Sequence, residues 1–422
     1  MKKITFIVFF LIILTLEGNS QCWQSISTGD NHILAVKKDG TLWAWGSNNY
    51  GKCGPNFQNY TNIPAQVGNE NNWQKPSAGF YHSMVTKTND KLYGWGINWE
   101  GEIGIGTSGL DYSIINYYSQ ISNDIWSSVS AGYDFTIAIK TDGTLWNWGD
   151  GILVPTQIGN DSDWDKIASG SSKKCFAIKT DGTLWTWRPN YYNMTQIGIS
   201  NNWQVITNSY GIKTDGTLWE IPWEISETPV QIGTKNNWMS IYKGYSSGHQ
   251  LAIKLDGTLW AWGENNYGEL GDGTNISKTD PIQIGSNSDW TFISAGERYS
   301  LALNSSGELW TWGANFFGQL GDGSFTDKNI QTLINCPSLS LTNINTKNII
   351  KLYPNPIKNF LNINTRNINV ISKILISDIT GKTIIEVNKN ITKINIEKLK
   401  TGVYFVFFTA EKGNYIGKFI KN

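Results

Sequence analysis

Short stretches of the chain alternate apolar and polar positions with a period of two, and one such stretch returns along most of the length. It reads Asp-Gly-x-Leu-Trp-x-Trp-Gly and occurs at Asp39 to Gly46, Asp142 to Gly149 and Asp256 to Gly263. Looser copies run Asn89 to Gly96, Asp181 to Arg188, Asp215 to Pro222 and Ser306 to Gly313, which makes seven. Period-two alternation predicts strands. Asp-Gly between two apolar runs predicts a hairpin, because a type I′ turn needs positive φ at both central residues. In the first copy Leu42 and Ala44 face one side of the strand, and Trp43 and Trp45 face the other. Both faces of each small sheet therefore need cover, and sheets stacked around an axis provide it for one another.

An apolar strand such as Leu34-Ala35-Val36-Lys37 precedes each copy, with a tryptophan further upstream. These leading residues are Trp23, Trp73, Trp126, Trp164, Trp203, Trp238 and Trp290, spaced by 50, 53, 38, 39, 35 and 52 residues. Such spacings suit one supersecondary unit per repeat. A further strand, Pro-x-Gln-Ile/Val-Gly, stands between most units, for example at Pro64 to Gly68 and Pro281 to Gly285. Counted as the start of the following unit, it leaves the first unit one strand short. The candidate at Ile330 to Ile334 would then be lent to the first blade and close the ring. The expected fold is all-β: a seven-bladed propeller over residues 21–336, a linker at 337–348 and a small β-sandwich at 349–422. Of 21 tryptophans, 19 belong to the repeat and are expected in the core, leaving Trp99 and Trp223 outside it.

Charge adds little direction. Lys plus Arg equals Asp plus Glu at 34 each, so nothing draws the chain toward nucleic acid or an anionic membrane. The N-terminus carries Lys2 and Lys3 before the apolar run Ile4 to Leu16, then Gly18 and Ser20. That is the pattern of a signal peptide over residues 1–20, with cleavage between Ser20 and Gln21. No other segment is apolar enough to span a bilayer, so no transmembrane segment is expected in the mature protein.

One full unit reads Trp290-x-x-Ile293-Ser-Ala-Gly296, Leu301-Ala302-Leu303, Gly307-x-Leu309-Trp310-x-Trp312-Gly313 and Phe317-Gly318-Gln319-Leu320-Gly321-Asp322-Gly323. This pattern resembles the regulator-of-chromosome-condensation repeat, over residues 22 to about 336. The resemblance implies a seven-bladed propeller used mainly for protein binding. In the last segment, Leu352-Tyr353-Pro354-Asn355-Pro356, Ile379-Thr380-Gly381-Lys382, Thr401-Gly402-Val403-Tyr404 and Gly417-Lys418-Phe419-Ile420-Lys421 stand in order. They resemble the type A C-terminal sorting domain of the type IX secretion system of Bacteroidetes. That resemblance implies contact with the secretion machinery after Sec export, passage across the outer membrane, and a cell-surface or extracellular location.

Candidate chemistry is sparse. His32, His82 and His249 fall at a repeat position that elsewhere holds Phe135 and Tyr299, so they read as packing or hydrogen-bonding residues. No catalytic residue, metal site or cofactor is expected. Leu270-Gly271-Asp272-Gly273-Thr274 and Leu320-Gly321-Asp322-Gly323-Ser324 lack the alternating ligands of a calcium loop and read as glycine turns. Cys53 and Cys175 occupy core positions, whereas Cys22 and Cys336 lie at the two ends of the ring, where a disulfide is expected. The connection after the second motif tryptophan is long in blades 6, 7, 1 and 2 and short in blades 3 to 5, so one side of a face is built up. Trp99, Tyr50, Tyr267 and Phe317 form the candidate binding patch there. The expected protein is a monomeric, non-enzymatic module for a protein or glycan ligand. The alternatives are a propeller-type inhibitor of a secreted enzyme, or a glycan lyase or hydrolase working at the central mouth.

Overall fold

The computed structural model describes residues 22–336 apart from 56, 109–113, 171–172, 223–227 and 245–247, and residues 350–422 apart from 366–370, 379–382, 388–391 and 411–412. The signal segment with Ser20 and Gln21, the linker at 337–348, Gly381, Lys382 and Trp223 lie outside the described residues. The chain divides into two compact units, Met1–Cys336 and Pro337–Asn422.

Among the described residues, the first unit holds seven four-stranded antiparallel sheets, each with its strands in sequence order. Blade 1 consists of Trp23–Thr28, His32–Lys37, Leu42–Ser47 and Tyr60–Gln66. Every blade is thus a continuous piece of chain, which corrects the expected lending of the last strand. Lys328–Ile334 pairs with Leu309–Gly313 of its own blade and not with blade 1. The physical reason lies in the pairing of the third and fourth strands. A hairpin can seat the fourth strand directly beside the third. The register then sets the recurring Gln opposite the first motif aromatic, as in Trp43↔Gln66, Tyr93↔Gln120 and Trp260↔Gln283.

First strands of successive blades hydrogen-bond to one another through side chains. Ser27 Oγ accepts from Ala78 N at 2.9 Å, Ser77 Oγ from Ala131 N at 2.9 Å, and Ser130 Oγ from Ser169 N at 3.0 Å. These strands line the axis, and the fourth strands form the rim, where Ile63, Val154, Val230 and Ile330 are exposed.

The core lies between blades. Leu34, Val36, Leu42 and Ala44 pack against Trp73, Ala78, Val85 and Trp95 of blade 2. On the other face, Ile33, Ala35 and Trp45 pack against Leu301, Leu303 and Leu309 of blade 7. Five further clusters fill the remaining junctions. The ring therefore closes by packing, as the two-sided apolar pattern requires.

The leading tryptophans and the second motif tryptophans are buried throughout. The first motif tryptophans are half-buried and meet the leading ones edge-on, for example Trp126 and Trp146 at 6.2 Å. A lysine at the end of the second strand caps this pair, as with Lys140 over Trp146 at 3.5 Å and Lys254 over Trp260 at 3.3 Å.

Cys22 and Cys336 form a disulfide across the seam of the ring, with Cα atoms 5.8 Å apart. Cys53 and Cys175 are buried free thiols.

The second unit packs a three-stranded sheet (Ile350–Tyr353, Phe360–Thr365, Lys393–Asn395) against a four-stranded one (Ile371–Ser377, Thr383–Val387, Gly402–Ala410, Gly413–Lys421). Leu361, Ile363 and Ile394 meet Ile374, Val406 and Phe419 in one core. The motif residues serve this frame. Asn355 Oδ1 accepts from Ile420 N at 2.9 Å, and Tyr404 stacks on Phe419 with centroids 5.5 Å apart. Tyr353 is exposed, whereas Gly402 and Val403 begin the strand that carries Tyr404.

The disulfide spans 314 residues of sequence, and closing so long a loop stabilises by up to about 5 kcal/mol in the chain-entropy model. Replacing both cysteines by serine, or adding reductant, is expected to lower the melting temperature of the propeller. A thermal scan that shows equal midpoints with and without reductant contradicts a role for this bond in closing the ring.

Candidate functional site

In an antiparallel four-stranded blade, the first-to-second and third-to-fourth connections emerge at the same end. All long loops of the propeller thus share one face with the turns around the mouth of the axis. The loops of blades 1, 2, 6 and 7 have a common build, centred on Asn48, Asn98, Asn265 and Asn315. Each asparagine Oδ1 accepts from the backbone N–H five residues on, at 2.8 Å from Cys53, 2.9 Å from Ile103, 2.9 Å from Leu270 and 3.0 Å from Leu320. The asparagine Nδ2 donates to carbonyls further along, such as Phe57 O and Thr107 O.

These loops lean onto the next blade and are stapled to it. The Glu102 carbonyl accepts from Trp148 Nε1 at 2.9 Å and from Thr136 Oγ1 at 3.0 Å. Thr136 Oγ1 also lies 2.8 Å from His82 Nε2. The same relay joins His32, Ser83, the Lys52 carbonyl and Trp95, and again His249, Ser300, the Glu269 carbonyl and Trp312. The hydroxyl proton goes to the carbonyl, so the imidazole must donate through Nε2–H. In His82 and His32 this leaves Nδ1 bare, buried and without a partner. Protonation there would place a charge in a dry interface, and burial holds His82 and His249 at about 3. The three histidines are interblade staples.

The loop residue whose carbonyl receives the tryptophan N–H is Lys52, Glu102, Glu269 or Gln319. In three loops its side-chain oxygen accepts from the backbone N–H two residues earlier: Glu100 at 2.9 Å, Tyr267 at 2.7 Å and Phe317 at 2.9 Å. Lys52 has no acceptor to offer and turns to Asp30 at 3.8 Å, both side chains being buried. Tyr50, the residue left without that bond, takes φ of +68°, rare for a side chain of its size.

That conformation sets an aromatic array. Tyr50 meets Trp99 at 5.5 Å and Tyr81 at 5.6 Å, both edge-on. Tyr81 meets Phe80 at 4.4 Å and Tyr133 at 5.4 Å, and Phe80 meets Tyr133 at 4.4 Å. Five rings from three blades form one surface, with Trp99 exposed by 45 %, Tyr50 by 40 % and Tyr133 by 39 %.

The expected patch of Trp99, Tyr50, Tyr267 and Phe317 therefore splits. Tyr50 and Trp99 touch, whereas Tyr267 packs on Phe316 at 5.3 Å, with Arg298 5.2 Å above it. The third loop residue meets the second loop residue of the next blade. Phe317 would thus need an aromatic at position 49, where Asn49 stands, and Phe317 itself is half-buried.

Two aspartates in turns between first and second strands are tied to cations: Asp30 to Lys52, and Asp134 to Lys173 at 2.9 Å. Burial raises Asp30 to about 6, despite Lys52, and Glu102 to about 7. Asp272 and Asp322, in the glycine turns, accept from Thr274 and Ser324 and pair with Lys278 and Lys328 at 3.4 Å each. Among the described residues no group of His, Cys, Asp and Glu is placed to hold a metal ion.

Comparison with known families agrees with this architecture. Residues 39–86, 256–303 and 306–352 match the regulator of chromosome condensation (RCC1) repeat, and 24–52, 126–151 and 290–319 match a second description of the same repeat. Residues 351–422 match the secretion system C-terminal sorting domain. The chain carries RCC1-type repeats followed by a secretion system C-terminal sorting domain. A similar protein is the Ultraviolet-B receptor UVR8 of Arabidopsis thaliana, 25% identical over 269 residues, which cover 62% of this chain and 57% of that one. The X-linked retinitis pigmentosa GTPase regulator homolog of Caenorhabditis elegans is 45% identical over 38 residues, 9% of this chain and 3% of that one. The chain thus spans less than two thirds of either relative. Among solved structures, human WBSCR16 gives a TM-score of 0.44 at 19% identity, covering 75% of this chain and 82% of that one. Prp20p from Saccharomyces cerevisiae gives 0.45 at 20%, covering 78% of each.

The histidine staples recur at one repeat position, whereas the members of the five-ring surface lie in turns and loops of different blades. Phe80, Tyr81 and Tyr133 were not among the expected residues. Their signal is an aromatic directly after Ala78-Gly79 and Ala131-Gly132, at the end of a first strand.

The staples carry a pH signature. A histidine whose folded pKa is depressed from 6.5 to about 3 contributes stability that is present above 6.5 and lost as pH falls. Asp30 and Glu102, raised by burial, act in the opposite sense, so the comparison must be between proteins that differ at one site. His82→Phe, which copies Phe135 of the next blade, should flatten the slope of stability against pH between 6 and 4. The expected difference is about one proton, or roughly 1.4 kcal/mol per pH unit. Parallel slopes in denaturant titrations of the two proteins would show that His82 is not buried neutral.

Proposed function

We propose that this chain is a secreted, non-enzymatic binding module. The sorting domain indicates type IX secretion and so export to the cell surface or the extracellular space. Sec passage with a cleaved leader ending at Ser20 completes this reading, and the ligand is a protein or a glycan. The recognition surface is the array of Tyr50, Phe80, Tyr81, Trp99 and Tyr133. The observation that carries it is a contiguous set of five rings, with Tyr50, Trp99 and Tyr133 exposed and Phe80 and Tyr81 half-buried between them, in edge contact with one another. Such rings offer large apolar area at low conformational cost, and they dominate binding energy where they are found in interfaces. The ion-paired Asp30 and Asp134 and the buried histidines support binding over catalysis at the mouth.

Trp99→Ala in the full chain should weaken capture of the ligand, found by pull-down from surface extracts or by glycan array, at least about thirtyfold, as loss of a central aromatic anchor does. The fold should be retained, since Trp99 lies outside the interblade clusters. Undiminished capture by Trp99→Ala would refute the placement of the site.

A further inference from the structure

The serine latches between first strands do not run all the way round. Ser27, Ser77, Ser130 and Ser294 occupy one repeat position and bond to the following blade. The same position holds Ala168, Thr207 and Tyr242 in blades 4, 5 and 6. Alanine has no hydroxyl, and the Thr207 hydroxyl is taken up by its own turn, at 3.3 Å from Tyr210 O and 3.2 Å from Tyr210 N. The next position is small in five blades (Thr28, Ala78, Ala131, Ser169, Ala295) but is Asn208 in blade 5 and Lys243 in blade 6.

Where the latches cease, a cleft of about 160 Å³ opens in the wall of the axis. Its lining includes Ser130, Ser169, Thr207, Asn208, Tyr242 and Lys243, and among the described residues no carboxylate. Asn208 is 7% exposed, and its Nδ2 donates to Gly244 O at 3.3 Å. That bond fixes the orientation of the amide, so Oδ1 is the free end, buried and with no partner. An unpaired buried acceptor is costly unless a donor reaches it. Lys243 is half-buried with its ammonium 5.7 Å from the Tyr210 ring, and it forms no ion pair among the described residues. Burial lowers its pKa, and Glu220 acts against that from beyond ion-pair distance.

The two side chains make opposite demands. Asn208 needs a donor, and Lys243 needs an anion. A free amino acid would bring an ammonium, for which the described lining has no carboxylate. We propose that this cleft binds a hydroxyl-bearing carboxylate of the sugar-acid type, its carboxylate beside Lys243 and a hydroxyl donating to Asn208 Oδ1. The site is independent of the aromatic face, which lies over blades 1 to 3.

The test is calorimetric titration of the full chain with galacturonate and glucuronate, beside glucose, acetate and a short peptide with a free C-terminus. A sugar acid should bind, more weakly at high salt, and better than glucose or acetate. Lys243→Ala and Asn208→Ala install the small residue that other blades use and should fold. Each should lower sugar-acid affinity at least about tenfold, while Trp99→Ala leaves it unchanged. No binding of either sugar acid, equal binding of glucose, preference for the peptide, or affinity indifferent to Lys243→Ala would each overturn the proposal.

Discussion

The structure depends on a single constraint: no blade has a core of its own. A four-stranded sheet with Leu42 and Ala44 on one face and Trp45 on the other is unstable alone, and each face is buried only by a neighbour. Seven junctions must therefore form together, and the ring must close. Packing does most of this, since burying apolar area is the dominant favourable term. The indole N–H of Trp95, Trp148 and Trp312 adds direction, because each finds its acceptor only in the loop of the preceding blade. Loop and core are thus one system, and the long loops stand firm because tryptophans hold them from below.

Much of this was legible in the chain. The turn residues and the period of two identify the second and third strands, and the tryptophan spacing counts the blades. Assignment of the fourth strand was not legible, because Pro-x-Gln-Ile-Gly lies between two units and reads equally as the end of one or the start of the next. The hairpin and the Trp–Gln register decide it, and both are contacts rather than patterns. The interchange of His82 with Phe135 correctly marked the histidines as structural, yet their partners Ser83, Thr136 and Ser300 are ordinary residues in another blade.

The candidate surface was half legible for a similar reason. Trp99 and Tyr50 stand out as aromatics beyond the repeat, but their contact depends on which loop positions meet across a junction. Asn49 interrupts that series at the seam between blades 7 and 1, which separates Tyr267 and Phe317 from the rest. Lys52 acts less visibly. It cannot accept the N–H of residue 50 as Glu102, Glu269 and Gln319 do at their loops, and Tyr50 stands in the left-handed region with its ring against Trp99. Both proposed sites lie where the repeat is broken, at loop positions on one side of the ring and at Asn208 and Lys243 on the other.

The central claim, that stability resides between blades, is most directly tested by native-state hydrogen exchange resolved blade by blade. Amides of the second strands, from His32–Lys37 in blade 1 to Tyr299–Asn304 in blade 7, should exchange through one shared opening with the free energy of global unfolding. A graded set of free energies, with single blades opening while their neighbours stay protected, would show that blades hold cores of their own and would contradict the account.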